Sequence, residues 1–333
     1  MRKAYVLLLA ALLALLPLGL PAAGVLAHAA DNGNWSVYPA ASQLGSRPYF
    51  YLSADPGAAV SDEVTVANKT AAPLTFRLYA ADAYNTARDG GFAVRTRQEK
   101  QRGIGAWATP ERDRITVPAH GSVTVPYTIA VPDDAEPGDH AGALVALDER
   151  IAPAGDGGRD GGPAVDVGVQ QAVGARVYLR VGGPTVPALA VEDVTLTHDK
   201  PLVPGAGESS VLISYTLHNS GNVTLNPTVA LKAEGLFGRD LLDRELTKIP
   251  AELLPRQKIR LTERWTDAPQ LEWGEVRLTA AARDVRESAT ASFFALPWLV
   301  VLLLTAALAV AAVVWARARR GARPGRPRVR PGV

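Results

Sequence analysis

Ser122-Val123-Thr124-Val125-Pro126-Tyr127-Thr128-Ile129-Ala130-Val131 is the stretch that decides the fold. Val123, Val125, Tyr127, Ile129 and Val131 hold five successive odd positions. A period of two sends alternate side chains to opposite faces, so the stretch reads as a strand with one buried face. Pro126, on the other parity, has no N–H to give a ladder and predicts an edge strand or a bulge. Turn formers follow at once in Pro132-Asp133-Asp134-Ala135-Glu136-Pro137-Gly138-Asp139.

The same period continues in both directions. Upstream lie Trp35, Val37 and Tyr38, then Tyr49 to Tyr51, then Val64 and Val66, then Leu74, Phe76, Leu78 and Ala80. Downstream come Ala143, Val145 and Leu147, a Gly/Asp-rich loop over 152–162, and Val177, Leu179 and Val181. Gly182-Gly183-Pro184 and Pro187 mark a linker. Beyond it the alternation resumes in Val211, Ile213, Tyr215 and Leu217, in Val229 and Leu231, in Ile259, Leu261 and Trp265, and in Val276, Leu278, Ala280 and Ala282. Gly238 to Leu246 is the one stretch here that reads as helical. Short strands with frequent turns and no long helices between them predict an all-β chain. The expectation is two Ig-like β-sandwich domains in series, residues 31–183 and 188–291.

The two ends carry a different signal. Arg2 and Lys3 precede an apolar run from Ala4 to about Leu20, and Ala27-His28-Ala29 offers small residues to a signal peptidase. Residues 1–29 therefore read as a secretory signal peptide. From Ser288 to Ala316 no side chain is charged. A helix over 295–315 is about 31 Å long at ~1.5 Å per residue, enough to cross a bilayer core. Trp298 and Trp315 stand near its ends, and the tail from residue 316 carries seven arginines and no acid. That flank predicts a cytoplasmic tail over 316–333 and extracellular N-terminal domains on a single-pass plasma-membrane protein.

Composition narrows the function. The chain has 35 Lys and Arg against 33 Asp and Glu, but nine of the basic residues sit in the two ends. The middle is therefore net acidic, which argues against a nucleic-acid partner. Cysteine is absent, so disulfides, thiolate metal sites and thiol nucleophiles are excluded. Richness in Ala, Arg, Gly and Pro suggests a GC-rich bacterial source with a Gram-positive-type surface.

The order of motifs resembles the WxL-interacting protein family of Gram-positive surfaces. The matching stretches are Val64-Thr65-Val66-Ala67-Asn68-Lys69-Thr70, Ile115-Thr116-Val117-Pro118, Val131-Pro132, Pro137-Gly138-Asp139-His140-Ala141-Gly142 and Arg176-Val177-Tyr178-Leu179. In the second domain they are Asn219-Ser220-Gly221-Asn222-Val223 and Leu236-Phe237-Gly238-Arg239. The resemblance implies a first domain that binds peptidoglycan, a second that binds a WxL-type or host protein partner, and one transmembrane anchor. The expected role is adhesion or scaffolding.

Candidate chemistry is sparse. Asp133, Asp134, Glu136 and Asp139 cluster beside His140, and paired carboxylates can serve a hydrolase. The same cluster suits a solvated turn or a weak Ca²⁺ loop. No hydrolase or phosphate-loop motif occurs, and no metal or cofactor is indicated, so the chain reads as a non-enzyme. The rival readings are a wall-active hydrolase using the 133–140 loop and an accessory subunit whose Ala-rich helix packs on other spans. For ligand binding, the long polar segment from Tyr84 to Thr109 offers flat rings beside hydrogen-bonding groups. Tyr84, Arg102 and Trp107 are its candidate glycan contacts. The plainer reading of Trp107 is a ring packed on the sandwich edge.

Overall fold

The structure, a computed structural model, describes residues 30–42, 45–150, 152–153, 168–199, 201, 207–295 and 298–321. The expected signal peptide, most of the 152–162 loop and the tail beyond residue 321 lie outside the described residues.

In chain order the first strands are β1 (Ala30–Asp31), β2 (Trp35–Pro39), β3 (Phe50–Ala54), β4 (Ala59–Asn68), β5 (Leu74–Asn85) and β6 (Phe92–Val94). A short helix α1 (Ile104–Trp107) precedes β7 (Ala108–Pro110), β8 (Arg114–Val117), β9 (Ser122–Ala130) and β10 (Gly138–Asp148). Then come the two-residue β11 (Ala152–Pro153) and β12 (Gly168–Val169), and the longer β13 (Ala172–Val181). One sheet has the order β1-β2-β4-β9-β7, and a second the order β3-β13-β10-β5-β6 with β8 also on β5.

The alternation in β9 does what its spacing predicts. Val125, Tyr127 and Ile129 are buried, while the residues between them face solvent. They meet Val64 and Val66 of β4, and Trp35, Phe50 and Phe76, in one core between the two sheets. Phe76 lies 5.2 Å from the Trp35 ring, and Phe50 meets Tyr127 edge-on at 5.2 Å. Pro126 sits one position beyond the segment of β9 that pairs with β7, where Ala108 faces Ile129 and Pro110 faces Tyr127. Its missing N–H therefore falls at the last backbone contact on that flank of β9, where its carbonyl still takes the Glu111 N–H at 2.8 Å. β9 is thus interior at one end and an edge at the other.

After residues 182–188 the remaining strands are β14 (Leu189–Asp199), β15 (Ser210–Asn219), β16 (Thr228–Glu234), β17 (Asp240–Glu245), β18 (Lys258–Thr266), β19 (Glu272–Ala282) and β20 (Val285–Ala295). They form the sheets β14-β15-β18 and β17-β16-β19-β20 around a second core of Ile213, Tyr215, Leu231, Trp265, Leu278 and their neighbours. The chain is therefore built mostly of strands. The seven strands after residue 188 are here called the C-terminal half, and the strands before residue 182 the N-terminal half.

Three expectations need correction. Gly238 to Leu246 is not helical: Leu236–Gly238 forms a 3₁₀ turn, and β17 pairs with β16 from Ala230 to Glu234. Cross-strand pairing outweighs the helical propensity of Asp-Leu-Leu-Asp-Arg-Glu-Leu, a common outcome for a weak local preference. The expected polar loop before Thr109 instead contains β6, α1 and the start of β7. The last strand runs on to Ala295, and the long helix α2 covers Trp298–Gly321, three residues later than expected and extending into the arginines. α2 is long and apolar enough to cross a membrane, and no other described residue covers its span Val301–Arg319.

One corner recurs in both halves. Asn68 is buried, and its amide donates to the carbonyls of Ala72 and Val117 at 2.8 and 3.2 Å, while its oxygen accepts the Thr70 N–H at 2.9 Å. Asn219 is also buried. Its amide donates to Val223 and Leu253 at 2.7 and 2.9 Å, and its oxygen accepts the Gly221 N–H at 3.1 Å. In each case an Asn at a strand end bonds four residues on and across to a distant segment, closing the end of the sheet.

Candidate functional site: the cleft between the two halves

Among the described residues, two sets of hydrogen bonds and the Glu136–Arg256 ion pair join the halves. The first centres on Glu252, in the loop before β18. Its carboxylate accepts from Arg176 at 3.0 Å and from the Tyr178 hydroxyl at 2.7 Å, both on β13. Arg176 lies over Phe92 at 4.2 Å and over Tyr49 at 5.4 Å, and Tyr51 stacks on Tyr178 at 5.3 Å. Burial, reinforced by the bond to Glu252, pushes the Tyr178 hydroxyl pKa up, so it stays protonated and donating. Beside this box, the buried Asn85 at the end of β5 donates to the Glu252 carbonyl and accepts the Leu254 N–H, both at 2.8 Å.

The second set uses the Pro137-Gly138-Asp139 corner. The Asp139 N–H donates to the Asn222 carbonyl at 2.7 Å, and its carboxylate accepts the Thr224 N–H at 2.7 Å while pairing with Arg180. The Asn222 amide donates to Pro137 and Pro184, both at 2.9 Å, and its oxygen accepts the Val186 N–H at 2.6 Å. Gly138 has φ +121°, and a Cβ there would overlap the Asn222 carbonyl oxygen. Glycine is the residue that allows this approach.

Between these contacts opens a cleft of about 500 Å³, lined from one half by Asp82, Arg95, Lys100, Arg102 and His140 and from the other by Asn222, Leu254 and Arg256. Asp82, on β5, builds its wall. The Asp82 carboxylate accepts the N–H groups of Gly103 at 3.1 Å and Gly105 at 2.8 Å, and its own N–H is held by Gln101 at 2.8 Å. Those bonds fix α1, which packs on β10 where Gly142 leaves room for Ile104. Arg102, between Gln101 and Gly103, is thereby presented at the cleft, with Lys100 beside it. Both are exposed, and neither forms an ion pair among the described residues. A second hollow of about 530 Å³ on the Glu252 side is lined by Tyr51, Tyr178, Arg180 and Arg283 among others.

The three candidate ligand residues are not equivalent here. Arg102 lines the cleft. Trp107 is half-buried against the N-terminal core and meets His140, a cleft residue, at 4.7 Å between rings. It backs the wall, as the plainer reading has it. Tyr84 is half-buried on β5 under Arg95, 5.8 Å from its ring; Arg95 lines the cleft and Tyr84 does not. The acidic loop is partly consumed by the joint: Asp139 is bonded as above, Glu136 pairs with Arg256, and its carbonyl contacts His140 Nε2 at 2.8 Å. Among the described residues no group of three or more His, Cys, Asp or Glu is placed to hold a metal ion. Asn85, Glu252 and Arg256 carry the joint, and sequence reading missed this role. The Pro137-Gly138-Asp139 corner was the one local sign of it.

No family model matches the chain, and no curated protein matches it. Solved structures that resemble it include a chain of the chaperone–tip adhesin complex of CFA/I fimbriae, at 10% identity and TM-score 0.36, covering 79% of this chain and 99% of that one. Another is from the CsuC–CsuE chaperone–tip adhesion subunit complex of Acinetobacter baumannii, at 10% identity and TM-score 0.35, covering 68% and 89%. A third is from the Salmonella enterica SafA pilin–SafB chaperone complex, at 10% identity and TM-score 0.32, covering 80% and 99%. Likeness at this level carries no inference about what this chain binds.

Proposed function

We propose that this is a membrane-anchored cell-surface binding protein of the kind the WxL-interacting resemblance implies. Two Ig-like sandwiches, residues 31–183 and 188–291 extended to Ala295, stand outside the membrane on α2, with the arginine tail in the cytoplasm. The first domain contacts peptidoglycan, and the second contacts a protein partner, for which β17, an edge strand among the described residues, is the candidate surface. The role is adhesion or scaffolding, with no turnover.

The observation that carries the reading is the cleft lined by Lys100 and Arg102, neither of which forms an ion pair among the described residues. Peptide stems of peptidoglycan bear free carboxylates. A guanidinium fork matches a carboxylate with two parallel bonds, and an ammonium adds a mobile point charge. The walls are tied by Asp82, Asn222 and Glu252, so the site is largely formed before a ligand arrives.

The test is retention of the detergent-solubilised full chain on insoluble peptidoglycan, with soluble fragments followed in the same tubes. Saturable retention without release is expected. The Lys100→Glu/Arg102→Glu double variant should weaken it by about tenfold or more, the scale of one or two lost charged hydrogen bonds. Release of muropeptides would move the chain to the hydrolases. Absence of retention would sink the glycan assignment.

A further inference from the structure

The end of the C-terminal half that leads into α2 leaves large apolar side chains in solvent. Phe237 is 96% exposed, Leu271 60%, Trp273 58% and Phe294 55%. Register gathers them at one place. Trp273 faces Phe294 across the β19–β20 ladder, and β16 ends with Glu234 opposite Glu275, which delivers the Leu236–Gly238 turn to the same end. A shallow hollow of about 540 Å³ lies among Phe237, Trp273 and Phe294.

Phe237 is held outward against its own preference. Its φ of 60° is a left-handed conformation that side chains with a Cβ avoid. The turn is fixed by Gly235 N–H donating to Arg239 O at 2.8 Å and by Leu236 N–H donating to the Glu272 carboxylate at 3.0 Å. Glu272 also pairs with Arg239. The Leu236 N–H, with Arg239 beside it, holds the Glu272 pKa below the ordinary range, so the brace is ionised at neutral pH. The charges around the tip are paired: Arg277 with Glu275 at 2.8 Å, and Lys232 with Glu234 at 2.7 Å and Asp240 at 3.1 Å. What the tip offers outward is therefore aromatic surface with little net charge.

Its position names the occupant. Phe294 is the penultimate residue of β20, and α2 begins at Trp298. Two intervening residues allow at most about 11 Å between Ala295 and Trp298. Aromatic rings are favoured at the headgroup level of a bilayer, where one side is apolar and the other wet. Resting on the single-pass reading above, we propose that Phe237, Trp273 and Phe294 insert into the headgroup–acyl boundary of the membrane that α2 spans. The C-terminal half then stands on the bilayer through an aromatic foot as well as through its helix.

The chain has no cysteine, so one introduced cysteine carries one spin label. The full chain would be reconstituted at one copy per nanodisc in zwitterionic phosphatidylcholine, labelled in turn at Phe237→Cys, Asp284→Cys and Leu308→Cys. Asp284 lies in the turn at the opposite end of β20, and Leu308 in the middle of α2. Accessibility to dissolved oxygen and to a water-soluble nickel chelate reports depth. The oxygen-to-nickel ratio at 237 is expected to be several-fold above that at 284 and below that at 308. Adding Trp273→Glu should move the 237 ratio toward the aqueous value. A ratio at 237 equal to that at 284, with 308 in lipid, overturns the foot and leaves the anchor standing. Shielding from both reagents, with dipolar broadening in two-copy discs, overturns it in favour of a second chain. An aqueous 308 defeats the anchor and the foot together.

Discussion

Asn68 and Asn219 show how much one buried amide can hold. Each is buried and donates to the carbonyls of two separate segments, so truncation deletes several buried hydrogen bonds at once. Asn219→Ala should lower stability by about 2–4 kcal/mol, and Asn68→Ala by a similar amount, both read from urea midpoints. A drop under about 0.5 kcal/mol would show that water replaces the amide. Gly138 tests the joint more directly. Gly138→Ala combines a positive φ with overlap on Asn222, so it should cost at least about 2 kcal/mol. It should also speed proteolysis within residues 182–188 while sparing both cores. Unchanged cleavage would mean that the corner relaxes without opening the cleft.

At the scale of elements, the three-stranded sheet β14-β15-β18 is stitched by one carboxylate. Glu192 on β14 accepts from His218 on β15 at 3.0 Å and from Lys258 on β18 at 2.8 Å. Lys258, then His218, hold its pKa below the ordinary carboxylate value. A lowered folded pKa means that the stabilisation is complete above the unfolded value of about 4.3 and is lost as pH falls through the folded one. Glu192→Gln should therefore lower the urea midpoint at pH 7 and match the parent near pH 3. A difference that persists at pH 3 would assign the loss to packing. The strands themselves were legible because burial on one face writes a period of two, as Val211 to Leu217 and Val276 to Ala282 show. β17 was not legible: Leu241 and Leu242 are adjacent and both half-buried, so the alternation breaks and only pairing with β16 defines the strand. α1 is four residues long, one turn, too short to write a helical period.

At the scale of the whole molecule, the joint was hidden from sequence reading for a physical reason. Asn85 meets Leu254, Arg176 meets Glu252, and Asp139 meets Thr224, all pairings between segments 76 to 169 residues apart. Apart from the Pro137-Gly138-Asp139 corner, no local pattern encodes such contacts. Arg102 could be picked out from its polar neighbourhood, but its cleft partner Arg256 could not. If the cleft binds an anionic polymer through Lys100 and Arg102, retention on peptidoglycan should fall as salt rises, since exposed charges are screened within about 10 Å at 0.1 M. The Lys100→Glu/Arg102→Glu variant should show a flatter salt dependence. Equal slopes would place the binding surface elsewhere.

The long pairing of β19 with β20 has a mechanical consequence. All eleven residues of β20, from Val285 to Ala295, face partners on β19, and the strand leads directly to α2. If a ligand and the helix were both held, as proposed, a pull along the strand axis would act across the inter-strand bonds. The ladder would then be loaded in shear, and its bonds would have to give way together instead of opening one by one from an end. The last strand before the helix is the part of the chain suited to bear a pull.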